Sequence, residues 1–281
     1  VSRLGFLGPQ GTFTEIAAKT YARRVDEYIP YGDIKALINA VSRGEVDKVI
    51  VPIENSIQGG VTLTLDLLVE HDVKIISEVI IPVKHSLLTK KMVELDEIKH
   101  VMSMSQALAQ CRSFLEDNLV DYQIHFTNST VEGAEKLHDL DDSWAVIGNS
   151  EAAEHYNLEI LREGIQDNEE NWTRFVVLSQ EEVSATANDK TSIICSLGQD
   201  HPGALYDILH EFAIRGINLT RIESRPAKKL LGDYIFFIDF EGHYQEKMLE
   251  DALDLVNYKA SWYKLLGSYP KSMVIDDYSV S

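Results

Sequence analysis

The run Asn171-Trp172-Thr173-Arg174-Phe175 sets a hydroxyl, a guanidinium and an aromatic ring side by side, where an acidic irregular stretch, Gly164 to Glu170, gives way to the apolar strand Phe175 to Leu178. A threonine hydroxyl in such a place can hydrogen-bond a departing oxygen or relay a proton to it, and a guanidinium can pair with a carboxylate. Chemistry tends to sit on loops that rigid elements hold. Two other polar runs share this character. Gly8-Pro9-Gln10-Gly11-Thr12-Phe13-Thr14 lies between a strand and a helix. Its glycines let backbone amides point inward, and Thr12 or Thr14 can cap the helix, giving either a carboxylate cradle at a helix N-terminus or a tight capped turn. Val51-Pro52-Ile53-Glu54-Asn55-Ser56 ends an apolar strand on three polar side chains, with Gly59-Gly60 following before a helix. Glu54 alone would read as a surface acid, and Asn55 and Ser56 as turn formers.

Taken together, the three runs resemble the signature loops of the prephenate dehydratase family. The resemblance implies that Thr173 is the main catalytic residue and that Glu54 and Asn55 line the cleft, Asn55 being the direct hydrogen-bonding group. Ser103-Met104-Ser105-Gln106-Ala107-Leu108-Ala109-Gln110-Cys111 is similar to the family's Ser-His-Pro-Gln-Ala-Leu-x-Gln-Cys run, with Met104 and Ser105 in place of His and Pro. It adds Ser103 and Gln110 to the expected catalytic set. Thr12, Phe13, Ser56, Gln106, Arg174 and Phe175 are the expected substrate contacts, with Arg174 either pairing with a substrate carboxylate or bracing its loop. The implied reaction removes hydroxide and carbon dioxide from one ring of prephenate, and aromatisation drives it. Positioning and help for the departing hydroxyl are then most of what the protein must supply. No dinucleotide or P-loop fingerprint is present and no histidine has metal spacing, so no cofactor and no metal are expected.

Over the first 180 residues, strand-like runs (Leu4 to Leu7, Lys48 to Ile53, Val73 to Ile81, Ile98 to Met102, Tyr122 to Phe126, Trp144 to Ile147) alternate with helical ones (Phe13 to Arg23, Ile34 to Ser42, Gln106 to Glu116, Val131 to Leu137). This order predicts an α/β fold with largely parallel sheets and ligands at strand ends. The resemblance makes it a two-lobed catalytic domain like type II periplasmic binding proteins, with crossings expected near residues 82 and 158. Residues 181–190 read as a linker. Residues 191–270 follow as β-α-β-β-α-β, a ferredoxin-like order, and 271–281 as a frayed tail. His201-Pro202-Gly203-Ala204-Leu205 and Ile217-Asn218-Leu219-Thr220-Arg221-Ile222-Glu223-Ser224-Arg225-Pro226 resemble the Gly-Ala-Leu and Glu-Ser-Arg-Pro motifs of dehydratase ACT domains. Such domains pair side by side and bind amino acids between them. Phenylalanine is the implied effector, with Gly203, Ala204, Leu205, Asn218, Leu219, Glu223, Ser224 and Arg225 around it, and a homodimer or homotetramer is expected.

The 26 basic and 45 acidic residues of the 281-residue chain give a net charge of −19, which disfavours nucleic acid and anionic lipid as partners. The charge itself reads as a solubility device or a salty cytosol. No apolar stretch is long enough to span a membrane, and the N-terminus lacks a signal-peptide pattern. Cys111 and Cys195 are expected to be reduced and buried, in a cytoplasmic protein. The chain starts within the dehydratase pattern, so a preceding chorismate mutase domain is not expected. Two alternatives stand beside a prephenate dehydratase: an arogenate dehydratase, and a non-catalytic amino-acid sensor on the same fold.

Overall fold

The protein is described by a computed structural model covering residues 2–22, 27–197, 201–227 and 234–272. The chain begins with β1 (Arg3–Leu7), α1 (Phe13–Tyr21), β2 (Glu27–Tyr31), α2 (Ile34–Ser42), β3 (Lys48–Asn55), β4 (Gly59–Gly60), α3 (Thr62–Glu70) and β5 (Lys74–Pro82). It crosses to β6 (Ser86–Thr89), β7 (His100–Ser103), α4 (Ser105–Gln110), α5 (Arg112–Asn118), β8 (Gln123–Phe126), α6 (Thr130–Leu137), β9 (Trp144–Gly148), α7 (Ser150–His155) and β10 (Glu159–Glu163). It then returns as β11 (Trp172–Ser179) and continues into β12 (Asp189–Leu197), α8 (Ala204–Ala213), β13 (Leu219–Pro226), β14 (Tyr234–Glu241), α9 (Lys247–Lys259) and β15 (Ala260–Pro270).

Three sheets result, in the strand orders β2-β1-β3-β11-β5, β10-β6-β9-β7-β8 and β13-β14-β12-β15. The first two are the two α/β lobes, and the third is ferredoxin-like. Parallel pairing of β1 with β2 and β3, and of β7 with β8 and β9, follows from the strand-helix-strand order. Strands β11 and β10 each enter a lobe antiparallel to their neighbours. The return crossing is residues 164–171, later than the expected point near 158, because Glu159–Glu163 first pairs with β6 as an edge strand of the second lobe.

Several predicted elements shift by a few residues, and one splits. The helix expected over Gln106 to Glu116 is two helices broken at Cys111 (φ −119°, ψ 18°). Asp167, on the return crossing, accounts for the break: its N–H donates to the Gln110 carbonyl (2.7 Å), and its carboxylate accepts from the Ser113 N–H (3.1 Å). The return crossing thus closes one helix and starts the next. Arg23 and the tail beyond residue 272 lie outside the described residues.

The second domain is not a separate body hung on a linker. Side chains of β12 and β14 alternate between its two faces. Ile193, Cys195, Phe236, Ile238 and Phe240 pack under α8 and α9, while Ile194, Phe237, Leu266 and Tyr269 join one core with Ile75, Val176 and Leu178 of the first lobe. Strand β15 lies so close on β5 that a Cβ at Gly267 would stand 2.6 Å from the Ile75 carbonyl oxygen. Gly267 also has φ +136°, so glycine is required there on both counts.

Candidate active site

Strands β3 and β11 bring Asn55 and Thr173 together as register partners, with Asn55 Nδ2 donating to Thr173 Oγ1 at 3.0 Å. The direction of this bond follows from the backbone. Asn55 Oδ1 accepts from the N–H groups of Ile57 (3.0 Å) and Gln58 (3.1 Å), so its oxygen faces the turn and its NH₂ must face Thr173. The same NH₂ donates to Asn171 Oδ1 (2.9 Å). With its oxygen accepting from Asn55, the Thr173 hydroxyl keeps its own hydrogen to donate elsewhere.

A bulge puts these side chains on one face. Val176 pairs with Val51 and Phe175 with Pro52, but Arg174 pairs with Glu54, leaving Ile53 as the extra residue. Before the bulge, Val49 and Val51 face the core shared with the second domain. After it the alternation is reversed, so Asn55 joins Thr173 while Glu54 joins Arg174 on the opposite face. The carbonyls at the bend are satisfied by Thr64 Oγ1 on Pro52 (2.7 Å) and the Val61 N–H on Ile53 (2.8 Å).

That face assignment moves Glu54 from its expected place in the cleft and, of the two roles expected for Arg174, fits the bracing one. Arg174 does not line the cleft: its guanidinium is buried among Glu78 Oε2 (2.7 Å), Asp239 Oδ2 (2.6 Å) and the Tyr269 hydroxyl (2.8 Å). Glu54 lies 3.6 Å from the same guanidinium and 3.4 Å from Arg221 of the second domain. Lys190 also reaches Glu78 (2.8 Å), and the Ser192 hydroxyl contacts both Asp239 and Tyr269 (2.6 Å each). Burial alone would push the Asp239 carboxyl up, but Arg174 and Arg221 outweigh it and hold the pKa below the usual aspartate value. Burial likewise opposes the charge on Arg174, and Asp239, Tyr269 and Glu78 overcome it, leaving its pKa well above the ordinary one. Glu78 and Asp239 escaped the sequence reading. Each is a lone acid inside an apolar strand, a pattern that demands a buried cation.

Other expected contacts also fall elsewhere. Phe175 is 2% exposed and packs with Leu4, Phe6 and Ile50 in the core under α1. Ser103 is fully buried and donates to the Ile147 carbonyl (2.8 Å), bracing β7 on β9. Ser56 staples the hairpin to β11: its Oγ accepts from the Trp172 N–H (2.9 Å) and its N–H donates to the Trp172 carbonyl (2.9 Å). In the glycine loop the capped-turn reading prevails. Thr12 Oγ1 accepts from the Glu15 N–H (3.3 Å) and donates to the Leu7 carbonyl (3.1 Å), while the Glu15 carboxylate takes the Gly11 N–H (2.6 Å). The loop's own acid thus takes one of the backbone amides of the expected carboxylate cradle, that of Gly11.

The two lobes meet around this site. The Phe13 ring stands edge-on to His85 with centroids 5.8 Å apart, a Cβ at Gly11 would be 3.1 Å from Ala152 Cα, and Lys19 pairs with Glu151 across the gap. Gln106 is half-buried at the start of α4. Gln110 Oε1 lies 2.8 Å from His85 Nε2. Among the described residues, His85 Nδ1, Gln110 Nε2, Asn149 Nδ2 and Asn171 Nδ2 are buried without a hydrogen-bond partner, an arrangement that leaves unsatisfied polar groups where the lobes close. Among the described residues, no cluster of three His, Cys, Asp or Glu side chains could hold a metal.

His85 was not among the expected site residues, and its environment makes a pH prediction. Burial lowers its pKa below the usual histidine value, against the upward pull of the Gln110 hydrogen bond. The folded state therefore binds fewer protons than the unfolded chain below about pH 6.5. The stability held by neutral His85 is complete above that pH and is lost as the pH falls toward the depressed folded value. Calorimetric melting at pH 7 and pH 5.5 should show a smaller loss of Tm in His85→Gln than in the wild-type chain; equal losses would clear His85 of this role.

In the second domain, the alternation along β13 splits the expected effector residues. Arg221, Glu223 and Arg225 turn toward the first lobe, while Ile222, Ser224 and Pro226 face solvent. Arg225 pairs with Asp66 (3.3 Å), and the Glu223 carboxylate lies where a Cβ on Gly60 would be. Gly203 caps α8 in the left-handed region (φ +94°), followed by Ala204 and Leu205 at the helix start. Leu219 begins β13, with Asn218 just before it, at the other end of the sheet, since Leu219 pairs with Phe240 while Ser196 pairs with Ile235.

A family model for prephenate dehydratase matches residues 4–183, and one for the ACT domain matches residues 191–251. The chain is 41% identical over 272 residues to a bifunctional chorismate mutase/prephenate dehydratase of Aquifex aeolicus, covering 97% of this chain and 74% of that protein. It is 40% identical over 267 residues to the prephenate dehydratase of Methanocaldococcus jannaschii, covering 93% of this chain and 96% of the relative. The solved prephenate dehydratase of Arthrobacter aurescens in complex with L-Phe superposes with a TM-score of 0.86 at 38% identity, over 96% of this chain and 90% of the other. The chain belongs to the prephenate dehydratase family, with an ACT domain following its catalytic part.

Proposed function

We propose that this chain converts prephenate to phenylpyruvate, with Thr173 and Asn55 as the reacting pair, and that phenylalanine bound at its second domain inhibits it. The observation that carries the reading is the oriented hydroxyl: Asn55 donates to Thr173 Oγ1, so the Thr173 O–H is free to point at the departing ring hydroxyl. As the ring C–O bond breaks, that oxygen takes up a proton that the Thr173 hydroxyl relays from solvent, which leaves the hydroxyl restored, and it departs as water. The ring carboxylate leaves as carbon dioxide, and its bonding electrons complete the aromatic ring. Gln106, Gln110 and Phe13 line the remaining walls, and Asn171 holds Asn55 in place.

The effector site is completed by two copies of the chain. Strand β12 spans nine residues, about 30 Å at the usual rise, between the end carrying Asn218 and the end carrying Gly203. One chain cannot close both around an amino acid. Antiparallel pairing of two β13 edges brings the start of one strand to the end of the other, where Gly203 of the second copy stands. A homodimer, or a tetramer built from it, follows. The two buried free thiols fit a reducing, cytoplasmic setting.

The test is turnover by the purified full-length chain on prephenate and on arogenate, with and without phenylalanine, alongside light scattering. Phenylpyruvate formation with inhibition by phenylalanine and a mass of at least two chains is the expected result. Gly203→Val should relieve inhibition with basal turnover kept, because a branched residue is strained at φ +94°, although no atom of the described residues lies within 4 Å to obstruct it. Faster turnover of arogenate would move the assignment to that substrate. Turnover of neither would leave a non-catalytic amino-acid sensor.

A further inference from the structure

We propose that Arg174 is a positioning residue that ties the strand carrying Thr173 to the second domain, so that the ligand state of that domain is read at the catalytic pair through Arg174, Glu54 and the contact of Glu223 with Gly60. This rests on the dehydratase reading and names how its regulation reaches the site.

Adjacent residues on two paired strands make the link. Thr173 pairs with Asn55 on the cleft face, and Arg174 pairs with Glu54 on the face toward the second domain. Adjacent Cα atoms are held about 3.8 Å apart across a trans peptide, so a shift of Arg174 along or out of the sheet is passed directly to Thr173. Two of the three close partners of Arg174, Asp239 and Tyr269, belong to the second domain. The third, Glu78, is shared with Lys190 and with the Ser272 N–H (3.1 Å) of that domain. Strand β13 makes a second connection. It starts at the expected effector residue Leu219, and two residues on, Arg221 pairs with Glu54 (3.4 Å) and with Glu223. Glu223 rests against Gly60, which pairs directly with Glu54 in the hairpin whose next pair is Gly59 with Asn55. Both members of the catalytic pair thus have a sequence neighbour held by the sheet that would bind the effector. Packed interfaces of this kind have discrete arrangements rather than a continuum, which lets a small displacement at one sheet be felt at the other.

The experiment uses full-length variants, with thermal unfolding as a control. Arg174→Gln should lower kcat on prephenate by tenfold or more with KM within about threefold, since Arg174 does not touch substrate. Arg174→Lys should recover part of the loss, because a lysine keeps the charge but cannot reach three acceptors at once. Arg221→Gln should bind phenylalanine by calorimetry within about threefold of the wild-type Kd, while the concentration for half-inhibition rises tenfold or more. If Arg174→Gln does not fold, Asp239→Asn keeps the volume and gives the same reading of kcat against KM. A rise in KM at unchanged kcat would return Arg174 to substrate binding and overturn the proposal. Undiminished inhibition in Arg221→Gln would overturn the route through β13. If the wild-type chain itself turns over neither substrate, the functional reading fails and this one with it. If it does turn over substrate, these variants judge the positioning role alone.

Discussion

Thr173→Ala should lower kcat on prephenate by about 10²–10⁴-fold, the range expected for losing a positioned proton-transfer group, while the protein remains folded. The loss belongs to the chemical step because of what the hydroxyl does in the resting structure. It makes one hydrogen bond within the described chain, as an acceptor from Asn55. Removing it leaves Asn55 Nδ2 with the Asn171 side-chain oxygen (2.9 Å) and the Trp172 carbonyl (3.2 Å), so no buried donor is stranded. The stability change should therefore stay within about 1 kcal/mol, the usual net worth of one such bond. Two further variants separate the hydroxyl from the shape. Thr173→Val keeps the volume without the hydroxyl and should be as slow as alanine; Thr173→Ser keeps the hydroxyl and should retain much of the rate. Steady-state kinetics with melting curves on all three decide it. A Thr173→Val enzyme within threefold of wild type would remove the hydroxyl from the mechanism.

Most of the fold was legible in the sequence, for identifiable reasons, and the runs that carry Asn55 and Thr173 stood out as polar loops that the structure pairs. Strands such as Lys48 to Ile53 and helices such as Ile34–Ser42 carry their periodicity openly, and the ferredoxin-like order of the second domain follows from it. Two of the polar runs end β3 and begin β11, which the structure brings together. What the residues alone could not give is which face each side chain takes. Asn55 and Glu54 are neighbours, as are Thr173 and Arg174, and simple alternation cannot say which of each pair faces the cleft. The bulge at Ile53 decides it, and a bulge depends on the partner strand rather than on local spacing. The return crossing was placed early because β10 reads as an ordinary strand, while its attachment to the second lobe is a tertiary fact. Glu78 and Asp239 could have been found: an acid in Ile75-Ile76-Ser77-Glu78-Val79-Ile80, and another in Phe236-Phe237-Ile238-Asp239-Phe240, are costly to bury without a cation. Pairing both with one arginine from a third strand needed the assembled structure.

A chain ending after Gln180 should fail to give a soluble, active enzyme, although the sequence suggests a free-standing catalytic domain at that boundary. Ile194, Phe237, Leu266 and Tyr269 are each 2% exposed or less in a core they share with Ile75, Val176 and Leu178. Burying a side chain of this size is worth about 1.5–3 kcal/mol, and a domain's whole stability is about 5–15 kcal/mol. The cut also strips Asp239, Tyr269, Lys190 and Ser192 from around Arg174 and Glu78. Removing one member of a buried ion pair costs about 3–5 kcal/mol, and here several go together from the strand that carries Thr173. The expected fragment is insoluble or lacks cooperative melting, with turnover below about a hundredth of the full chain's, consistent with losing strand placement as well as stability. Near-ultraviolet circular dichroism, melting and activity on prephenate check it. A soluble fragment that melts cooperatively and turns over prephenate at the full-length rate would show that the second domain is dispensable to the strand. Arg174 would then serve as an interdomain contact that the catalytic pair does not need.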